Sequence, residues 1–342
     1  MKRLQAALFA ALVAVALIPH SAAAWTRSPA TTFATLPAGA TPPEGITADA
    51  AGNVYVTTFG FPASGPTTTP GQLIVFDHAG RVIRQVEIAG ASPHLLGLAF
   101  NPVTGDLLVL DFGAAKVLKV DPHSGASTVF ADIGNGAGLN ALTFDSSGNV
   151  YISDSFNGTI WRTGKSGGAA VAWVTSPLLT TTGKPPFGAN GLAFNRAGTA
   201  LLVTNTGDDA VITIPVSNGS PGAAAVLAYG VNGADGLLVD EADNLWVVAN
   251  QSDEVVVLDP TGKVIAKVGD FGGIDHRGAA IGLLFPASLV ASGQFIYVTN
   301  LVLDTRLFGF PTVDSQWTAQ VTRYTVSKIN RHLPPVRGGD DD

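Results

Sequence analysis

The sequence predicts an all-β fold, a six-bladed β-propeller with four antiparallel strands in each blade. One observation is a recurring motif, as in Gly188 to Asn205, GANGLAFNRAGTALLVTN, which predicts an inner strand, a short turn and a second strand. Another is the period, because repeats of about 45 residues that contain several strands are typical of propeller blades. Six copies begin at the following residues: Glu44, Leu96, Asn140, Asn190, Asp235 and Ile281.

The runs that follow the start of each copy supply the remaining strands. The first five copies each contain four short runs rich in Val, Ile, Leu and aromatic residues, bounded by Gly, Asp, Asn and Pro, as expected of strands separated by turns. The sixth copy contains only three such runs. We expect Thr31 to Leu36 to supply its outer strand, so that an N-terminal strand closes the last blade and leaves no open sheet edge. The predicted propeller spans 25–327.

The two ends of the chain carry other signals. Residues 1–24 combine an early Lys-Arg pair, an apolar run from Ala6 to Ile18 and an Ala-x-Ala pattern ending at Ala24. This pattern predicts a signal peptide cleaved near Ala24 and a periplasmic or secreted protein, with an uncleaved anchor as the alternative. After cleavage we expect no membrane span. Residues 328–342 are rich in Pro, Gly and Asp, which predicts a disordered tail.

Composition narrows the function classes. The 342 residues are 46% hydrophobic and 13% charged, with a formal net charge of −7 and no cysteine. The negative charge argues against nucleic acid as a partner. The absence of cysteine excludes disulfides and thiolate metal sites. We expect a monomer that acts on a small molecule.

The connections between strands predict where the functional site lies. The first-to-second and third-to-fourth connections in each blade are short turns, whereas the long connections fall on the opposite face of the disc. That face is also where the inner strands begin, beside the central channel. Long loops on one face of a rigid scaffold are where binding usually occurs. The long loops are Phe59 to Pro70, Ser176 to Ala189, Asp270 to Ala280 and Leu301 to Thr318.

Four of the six copies begin with an oxygen-bearing side chain: Glu44, Asn140, Asn190 and Asp235. Equivalent positions in a propeller lie at equal radius, so these side chains can converge at the channel mouth. Two carboxylates and two amides form an all-oxygen set that suits Ca²⁺, with Mg²⁺ or Mn²⁺ as alternatives. The lack of His and Cys argues against a zinc site. The alternative is that each residue only caps a strand beside a wet channel.

The residues at and just after these four positions resemble the signatures of a known protein family. The signatures Glu44-Gly45, Asn190-Gly191-Leu192 and Asp235-Gly236-Leu237, with Asn140 ahead of Ala141-Leu142, resemble the senescence-marker-protein, gluconolactonase and luciferin-regenerating-enzyme family of six-bladed propellers. The resemblance implies a divalent cation at the channel mouth, ligated by Glu44, Asn190 and Asp235. It implies that Asn140 is a further ligand or contacts substrate, and that Asp235 is also the catalytic base or nucleophile.

The activity that the resemblance implies is hydrolysis of a lactone or a related ester, in which the cation polarises the substrate carbonyl. One departure concerns the substrate: sugar-lactone members carry an Arg two residues before the third-blade Asn, and Gly138 stands there. The long loops are apolar instead, which favours a less polar substrate; the alternative is that these residues only anchor the loops. They are Phe59, Phe61, Pro62, Pro185, Pro186, Phe187, Leu307, Phe308, Phe310 and Trp317.

Three further residues are candidates for the site. His94, two residues before the second copy's first position, is a candidate general base, with a loop histidine of no catalytic role as the alternative. Phe187 and His276 are candidate substrate contacts, with surface exposure as the alternative for His276. Polar residues also end the second strands, where they typically cap the turn by bonding the local backbone. These are Asp111, Asp154, Asn205, Asn250 and Asn300.

A second function class remains open. A non-enzymatic propeller of the NHL-repeat kind would bind a peptide or polymer on the long-loop face, and the fold alone cannot decide between the two. The feature that distinguishes them is the set of four oxygen donors in register, for which a pure interaction module has no use.

Overall fold

A computed structural model describes residues 28–134, 136–312 and 314–333. The predicted signal peptide, residues 1–24, and the last part of the predicted tail, from 334, lie outside these ranges. Among the described residues, no helix has the length and apolar character needed to cross a bilayer.

The described chain forms six four-stranded antiparallel blades, which confirms the predicted fold class. Within each blade the strands are ordered from the channel outwards. Blade one contains β2 Pro43–Ala48, β3 Val54–Thr58, β4 Gln72–Phe76 and β5 Val82–Glu87. Blade two contains β6 Leu95–Phe100, β7 Leu107–Asp111, β8 Lys116–Val120 and β9 Ser127–Asp132. Blade three contains β10 Leu139–Phe144, β11 Val150–Asp154, β12 Thr159–Thr163 and β13 Val171–Thr175.

The second half of the ring repeats this order. Blade four contains β14 Ala189–Phe194, β15 Ala200–Asn205, β16 Ala210–Ser217 and β18 Ala225–Tyr229, with β17 Ser220–Pro221 paired to the end of β16. Blade five contains β19 Ala234–Val239, β20 Leu245–Ala249, β21 Glu254–Leu258 and β22 Val264–Val268. Blade six contains β25 Pro286–Ser292, β26 Phe295–Asn300, β27 Thr325–Asn330 and β1 Thr31–Thr35.

The N-terminal strand closes the ring as predicted. Strand β1 pairs with β27, with Thr31 opposite Lys328 and Thr35 opposite Thr325. The ladder between β26 and β27 continues to the pair of Phe295 and Asn330. The last strand therefore extends to Asn330, beyond the predicted end of the propeller at 327.

The sixth repeat is displaced from its predicted register. Ile281 lies in β24 Ala280–Gly282, which forms a hairpin with β23 Phe271–Ile274, so the prediction that it begins the inner strand is wrong. The inner strand is β25, in which Ala287 occupies the position that Asp235 holds in blade five. The error has a physical cause, because the apolar run after Ile281 lacks the alternation that fixes a strand's register. The chain also turns within this run, where Phe285 has a φ of 42°.

The hydrophobic core lies between the blades. Six clusters of buried side chains each join two neighbouring blades around the ring. For example, Trp246 of blade five packs in one cluster with Ile296 of blade six. A seventh cluster lies at the long-loop face instead, and it contributes to the site described below.

The inner strands approach one another so closely that glycine is required between them. A Cβ at Gly45 would lie 2.3 Å from the carbonyl oxygen of Leu96, and one at Gly191 would lie 2.5 Å from that of Asp235. A Cβ at Gly97 would likewise lie too close to the backbone carbonyl oxygen of Asn140. Real Cβ atoms do not come this near, so the glycine that follows four of the six first positions lets the next blade's inner strand pack against it. Blades three and six have Ala141 and Ser288 at this point instead.

Hydroxyl groups connect the same strands. Thr204 Oγ1 donates to the carbonyl of Asp235 at 2.6 Å, and Thr299 Oγ1 donates to that of Glu44 at 2.6 Å. Each threonine lies on the second strand of one blade and bonds the first residue of the next repeat. The backbone that carries the candidate site residues is therefore held by neighbouring blades on both sides.

We expect Gly191→Ala to destabilise the fold by about 2 kcal/mol or more, because the added methyl would overlap the Asp235 carbonyl in a packed interior. The measurement is the free energy of unfolding from denaturant titration. Gly164→Ala is the matched control, because nothing lies within 4 Å of a Cβ there. Equal stabilities for the two variants would contradict the role assigned to the close approach.

Candidate active site at the channel mouth

The six inner strands share an irregularity that defines the site. In blade five, Ala234 pairs with Ala249 and the next pair is Leu237 with Val247, so Asp235 and its following glycine form a bulge. The other five inner strands shift register at the equivalent point. Such bulges re-aim side chains near functional sites. The six bulge residues, here called the ring positions, are Glu44, Leu96, Asn140, Asn190, Asp235 and Ala287.

The two carboxylates of the ring interact across the mouth. Glu44 and Asp235 are both buried, and they belong to blades one and five, with Ala287 of blade six between them. Burial, and then the charge of Asp235, raise the pKa of Glu44 well above its usual value. Burial raises the pKa of Asp235 to about 7, against the lowering effect of hydrogen bonds from Asn250 and Asn190. Ionising both carboxylates together is therefore unfavourable unless a positive charge compensates them.

Hydroxyl groups orient the two ring asparagines. Asn190 Nδ2 donates to Thr206 Oγ1 at 2.9 Å, and this hydroxyl donates to the carbonyl of Ala234 at 2.8 Å. Asn140 Nδ2 donates to Ser155 Oγ at 3.4 Å, which in turn donates to the carbonyl of Ala189 at 2.7 Å. Because the amide nitrogens are bound in this way, the amide oxygens are the atoms left to serve as ligands.

Asn250 joins the site in a way that the sequence prediction missed. Its Nδ2 donates to Asp235 Oδ2 at 3.1 Å, and the side chain is buried. The prediction grouped it with the turn caps, but it lies one residue beyond Ala249, the partner of Ala234 at the end of β20. When the repeats of blades three and five are aligned at Asn140 and Asp235, Asn250 is equivalent to Ser155 and not to the turn cap Asp154. The repeat alignment could therefore have identified Asn250 as a site residue.

Three of the other residues that end second strands cap their turns as predicted. The fourth, Asn300, instead accepts from the backbone nitrogen of Leu284, outside its own turn. Asp154 Oδ1 accepts from the backbone nitrogens of Gly138 at 2.9 Å and Phe156 at 3.1 Å. Asp111 accepts in the same way from Ser92 and Ala114, and Asn205 accepts a backbone N–H.

The mouth has a polar half and an apolar half. The residues that follow the second strands are polar in blades three to five (Ser155, Thr206 and Asn250) and apolar in blades six, one and two (Leu301, Phe59 and Phe112). The ring positions are likewise polar in blades three to five and apolar in blades six and two, and Glu44 of blade one is the exception in the apolar half. The seventh hydrophobic cluster contains Phe59, Leu96, Phe285, Ala287, Leu301 and Leu303, with Phe61, Phe112 and Phe308 packed against it.

Of the three remaining candidates, His94 and Phe187 lie at the channel mouth, whereas His276 lies away from it. His94 is half-buried and stacks on Phe61 with ring centroids 4.5 Å apart, and its Nδ1 has no hydrogen-bond partner among the described residues. Burial lowers the pKa of His94, against the raising effect of Asp111. Phe187 also lies at the mouth, stacked on Phe156. His276 is exposed in the turn between β23 and β24, and β24 contacts β1 on the outer side of blade six.

The buried oxygens of the ring fit a divalent cation. Glu44 Oε2, Asp235 Oδ1 and Asn250 Oδ1 are buried and have no hydrogen-bond partner within the described ranges. In the same ranges, no three His, Cys, Asp or Glu side chains form a group that could hold a metal ion. A cation at the ring would therefore use two carboxylates together with amide oxygens, a hard set of ligands that suits Ca²⁺ or Mg²⁺.

Comparison with solved structures shows the same architecture. Regucalcin from Agrobacterium tumefaciens, described as a calcium-binding protein, matches with a TM-score of 0.60 and 17% identity over 90% of this chain and 97% of its own. A gluconolactonase from Xanthomonas campestris matches with a TM-score of 0.56 and 14% identity over 87% and 98%. A streptogramin B lyase matches with a TM-score of 0.56 and 16% identity over 91% and 90%. At these identities the likeness shows the fold alone.

Sequence comparison identifies the family. No curated protein matches the chain. The model of one family, described as the SMP-30/Gluconolactonase/LRE-like region, matches residues 91–269. This range includes the ring positions Asn140, Asn190 and Asp235, and it covers more than half of the 342 residues. The protein therefore belongs to the SMP-30/gluconolactonase/LRE-like family of β-propellers.

Proposed function

We propose that the protein is a divalent-cation-dependent hydrolase of the lactonase or esterase type, that its cation is Ca²⁺ and lies at the channel mouth, and that it acts in the periplasm or outside the cell. The observation that carries the proposal is the buried ring of oxygen donors, in which two interacting carboxylates each keep an oxygen that no described residue hydrogen-bonds. Membership of a family named for gluconolactonase supports the reaction class, and the calcium-binding description of regucalcin supports the choice of ion.

Different residues at the mouth would bind the cation, contact the substrate and accept a proton. Glu44, Asn190 and Asp235 would hold the cation, with Asn140 as a further ligand or a substrate contact. A bound divalent cation supplies Lewis-acid polarisation of a carbonyl oxygen. Asp235 is also the candidate base or nucleophile. Burial raises its pKa to about 7 in the cation-free site, and a bound cation would lower it, so its role beside the cation would be to position the attacking water or to attack directly. His94, whose Nδ1 lacks a partner, is a second candidate base.

A binding function without catalysis is the second candidate. The observation in its favour is the set of partly exposed aromatic side chains beside the ring, of which Phe156 is the most exposed at 49%. It differs from the first proposal in needing no cation.

We expect Asp235→Asn to abolish stoichiometric Ca²⁺ binding and to reduce ester or lactone hydrolysis by at least about a hundredfold, because the variant loses a ligand and the candidate base. Calorimetry and a panel of esters and lactones measure the two effects. Asp132→Asn, at an exposed aspartate on the outer strand β9, is the matched control and should retain both. Cation binding that survives Asp235→Asn would contradict the assigned ligand set.

Thr206→Val tests the orientation of Asn190. The variant keeps the side-chain shape but removes the hydroxyl that accepts from Asn190 Nδ2. We expect the affinity for Ca²⁺ to fall by about tenfold, as is common when a group that orients a ligand is lost. Thr261→Val, at an exposed turn on the opposite face, is the control. Unchanged affinity in Thr206→Val would show that the hydroxyl does not orient the ligand.

The ring should also make stability depend on pH. In the presence of a chelator, the raised pKa values of Glu44 and Asp235 mean that the folded state binds more protons than the unfolded state. Stability should then fall as pH rises from about 4, the carboxyl pKa of the unfolded chain, through the folded value of about 7 for Asp235. The measurement is the melting temperature between about pH 5 and pH 8.

A variant and a titration with Ca²⁺ distinguish the contribution of Glu44 and Asp235 to this pH dependence from that of other titratable groups. Burial, and then the charge of Asp314, raise the pKa of Asp253 to about 8. Asp253 therefore also makes the stability fall as pH rises. The difference between wild type and Glu44→Gln isolates the ring, and excess Ca²⁺ should flatten the wild-type slope. Identical slopes in wild type and Glu44→Gln would contradict the electrostatic coupling.

A further inference from the structure

Aromatic side chains form a contiguous row of ring contacts beside the ring positions, in which Phe59 is buried and the others are at least partly exposed. Phe308 contacts Phe61 with ring centroids 5.0 Å apart, and Phe61 lies 4.9 Å from Phe59. The series continues from Phe59 to Phe112 at 6.3 Å and from Phe112 to Phe156 at 5.5 Å, and Phe156 stacks on Phe187 at 5.9 Å. We call this set the aromatic band: Phe59, Phe61, Phe112, Phe156, Phe187 and Phe308.

The ring of Phe156 is not needed to hold the turn that carries it. Phe156 lies in a turn that Asp154 fixes by accepting from the backbone nitrogens of Phe156 and Asn157. Its ring is nevertheless 49% exposed. This ring and four partly exposed ones, which the buried Phe59 links, form an apolar patch of the kind that marks a ligand site. The four partly exposed rings are those of Phe61, Phe112, Phe187 and Phe308.

The backbone beneath the band excludes a side chain that could serve a polar ligand. A Cβ at Gly138 would lie 2.8 Å from the ring of Phe156. The ring therefore packs directly against the glycine backbone, and any larger residue at this position would displace it. Because Gly138 lies two residues before the ring position Asn140, an apolar surface takes the place that a charged side chain would occupy.

The band joins the candidate catalytic ring without interruption. Phe59 belongs to the same hydrophobic cluster as Leu96 and Ala287, the apolar ring positions, and Phe61 and Phe112 pack against that cluster. The oxygen donors Asn140, Asn190 and Asp235 face this surface from the other half of the mouth. A ligand at the mouth would therefore contact oxygen donors on one side and aromatic rings on the other.

We propose that the substrate is an ester or lactone with an aryl or alkyl group near its carbonyl, and that this group lies on the aromatic band while the carbonyl faces the oxygen donors. This inference rests on the proposed hydrolase function. In the reaction the acyl C–O bond breaks, and water adds its hydroxyl to the acyl carbon and a proton to the alcohol oxygen. A polyhydroxylated lactone would bury hydroxyl groups against rings that offer them no hydrogen bond, which is unfavourable.

The test uses the full-length mature protein with Ca²⁺ and pairs of substrates that differ in polarity. We expect kcat/KM for δ-decalactone to exceed that for glucono-δ-lactone by about a hundredfold or more. Phe156→Ala should lower kcat/KM for δ-decalactone by about tenfold, mainly through KM, and leave glucono-δ-lactone unaffected. Tyr229→Ala is the matched control, because this ring is 69% exposed on the outer strand of blade four; it should change neither value.

The outcomes separate the two proposals. Faster hydrolysis of glucono-δ-lactone, with no effect of Phe156→Ala, would overturn the substrate class and leave the hydrolase function intact. If neither substrate is hydrolysed, the hydrolase function fails, and calorimetry with 4-phenylbutyrate tests the band alone. Binding to wild type that is lost in Phe156→Ala and Phe187→Leu would support recognition of an apolar group, and the absence of binding to wild type would overturn it.

Discussion

The close approach of the six inner strands is the constraint on which the rest of the structure depends. Glycines such as Gly45 and Gly191 let the backbone of one blade contact the ring position of the next. Threonine hydroxyls bond the same carbonyls from the second strand, as Thr204 does at Asp235. Because threonines of neighbouring blades bond the backbone carbonyls of both Glu44 and Asp235, these side chains have little freedom to move apart, and the two carboxylates can be kept within reach of each other despite their repulsion.

That rigidity explains the electrostatics of the site. An exposed carboxylate pair would separate or recruit water, whereas Glu44 and Asp235 are buried and their pKa values are raised. The protein pays for this arrangement in stability when both groups are charged. Such a cost is characteristic of functional sites, where a ligand or cation compensates the charge. The hydrogen bonds from Asn250 and Asn190 lower the pKa of Asp235 and favour the ionised form that a cation requires.

The sequence predicted the fold and most of the ring because both depend on local repetition. Asn140, Asn190 and Asp235 each lie at the start of an inner strand with clear boundaries, so the pattern alone predicts their register. Ile281 failed because the apolar run after it has no alternation, and only packing decides that Ala287 faces the channel. The aromatic band was predicted in part, because Phe61 and Phe187 stand in long loops. Phe112 and Phe156 follow turn caps by one and two residues, and only the tertiary structure shows that their rings reach the mouth.

The division of the mouth gives a physical reason for a single substrate orientation. Glu44 is the one charged ring residue on the apolar side, and burial is the largest cause of its raised pKa. A polar group placed over the apolar half would lose its hydration without gaining partners there, apart from this carboxylate. An apolar group placed over Asn140, Asn190 and Asp235 would separate them from any ligand able to satisfy their oxygens. Both penalties vanish in one arrangement, with the polar end of the ligand over blades three to five and the apolar end over blades six, one and two.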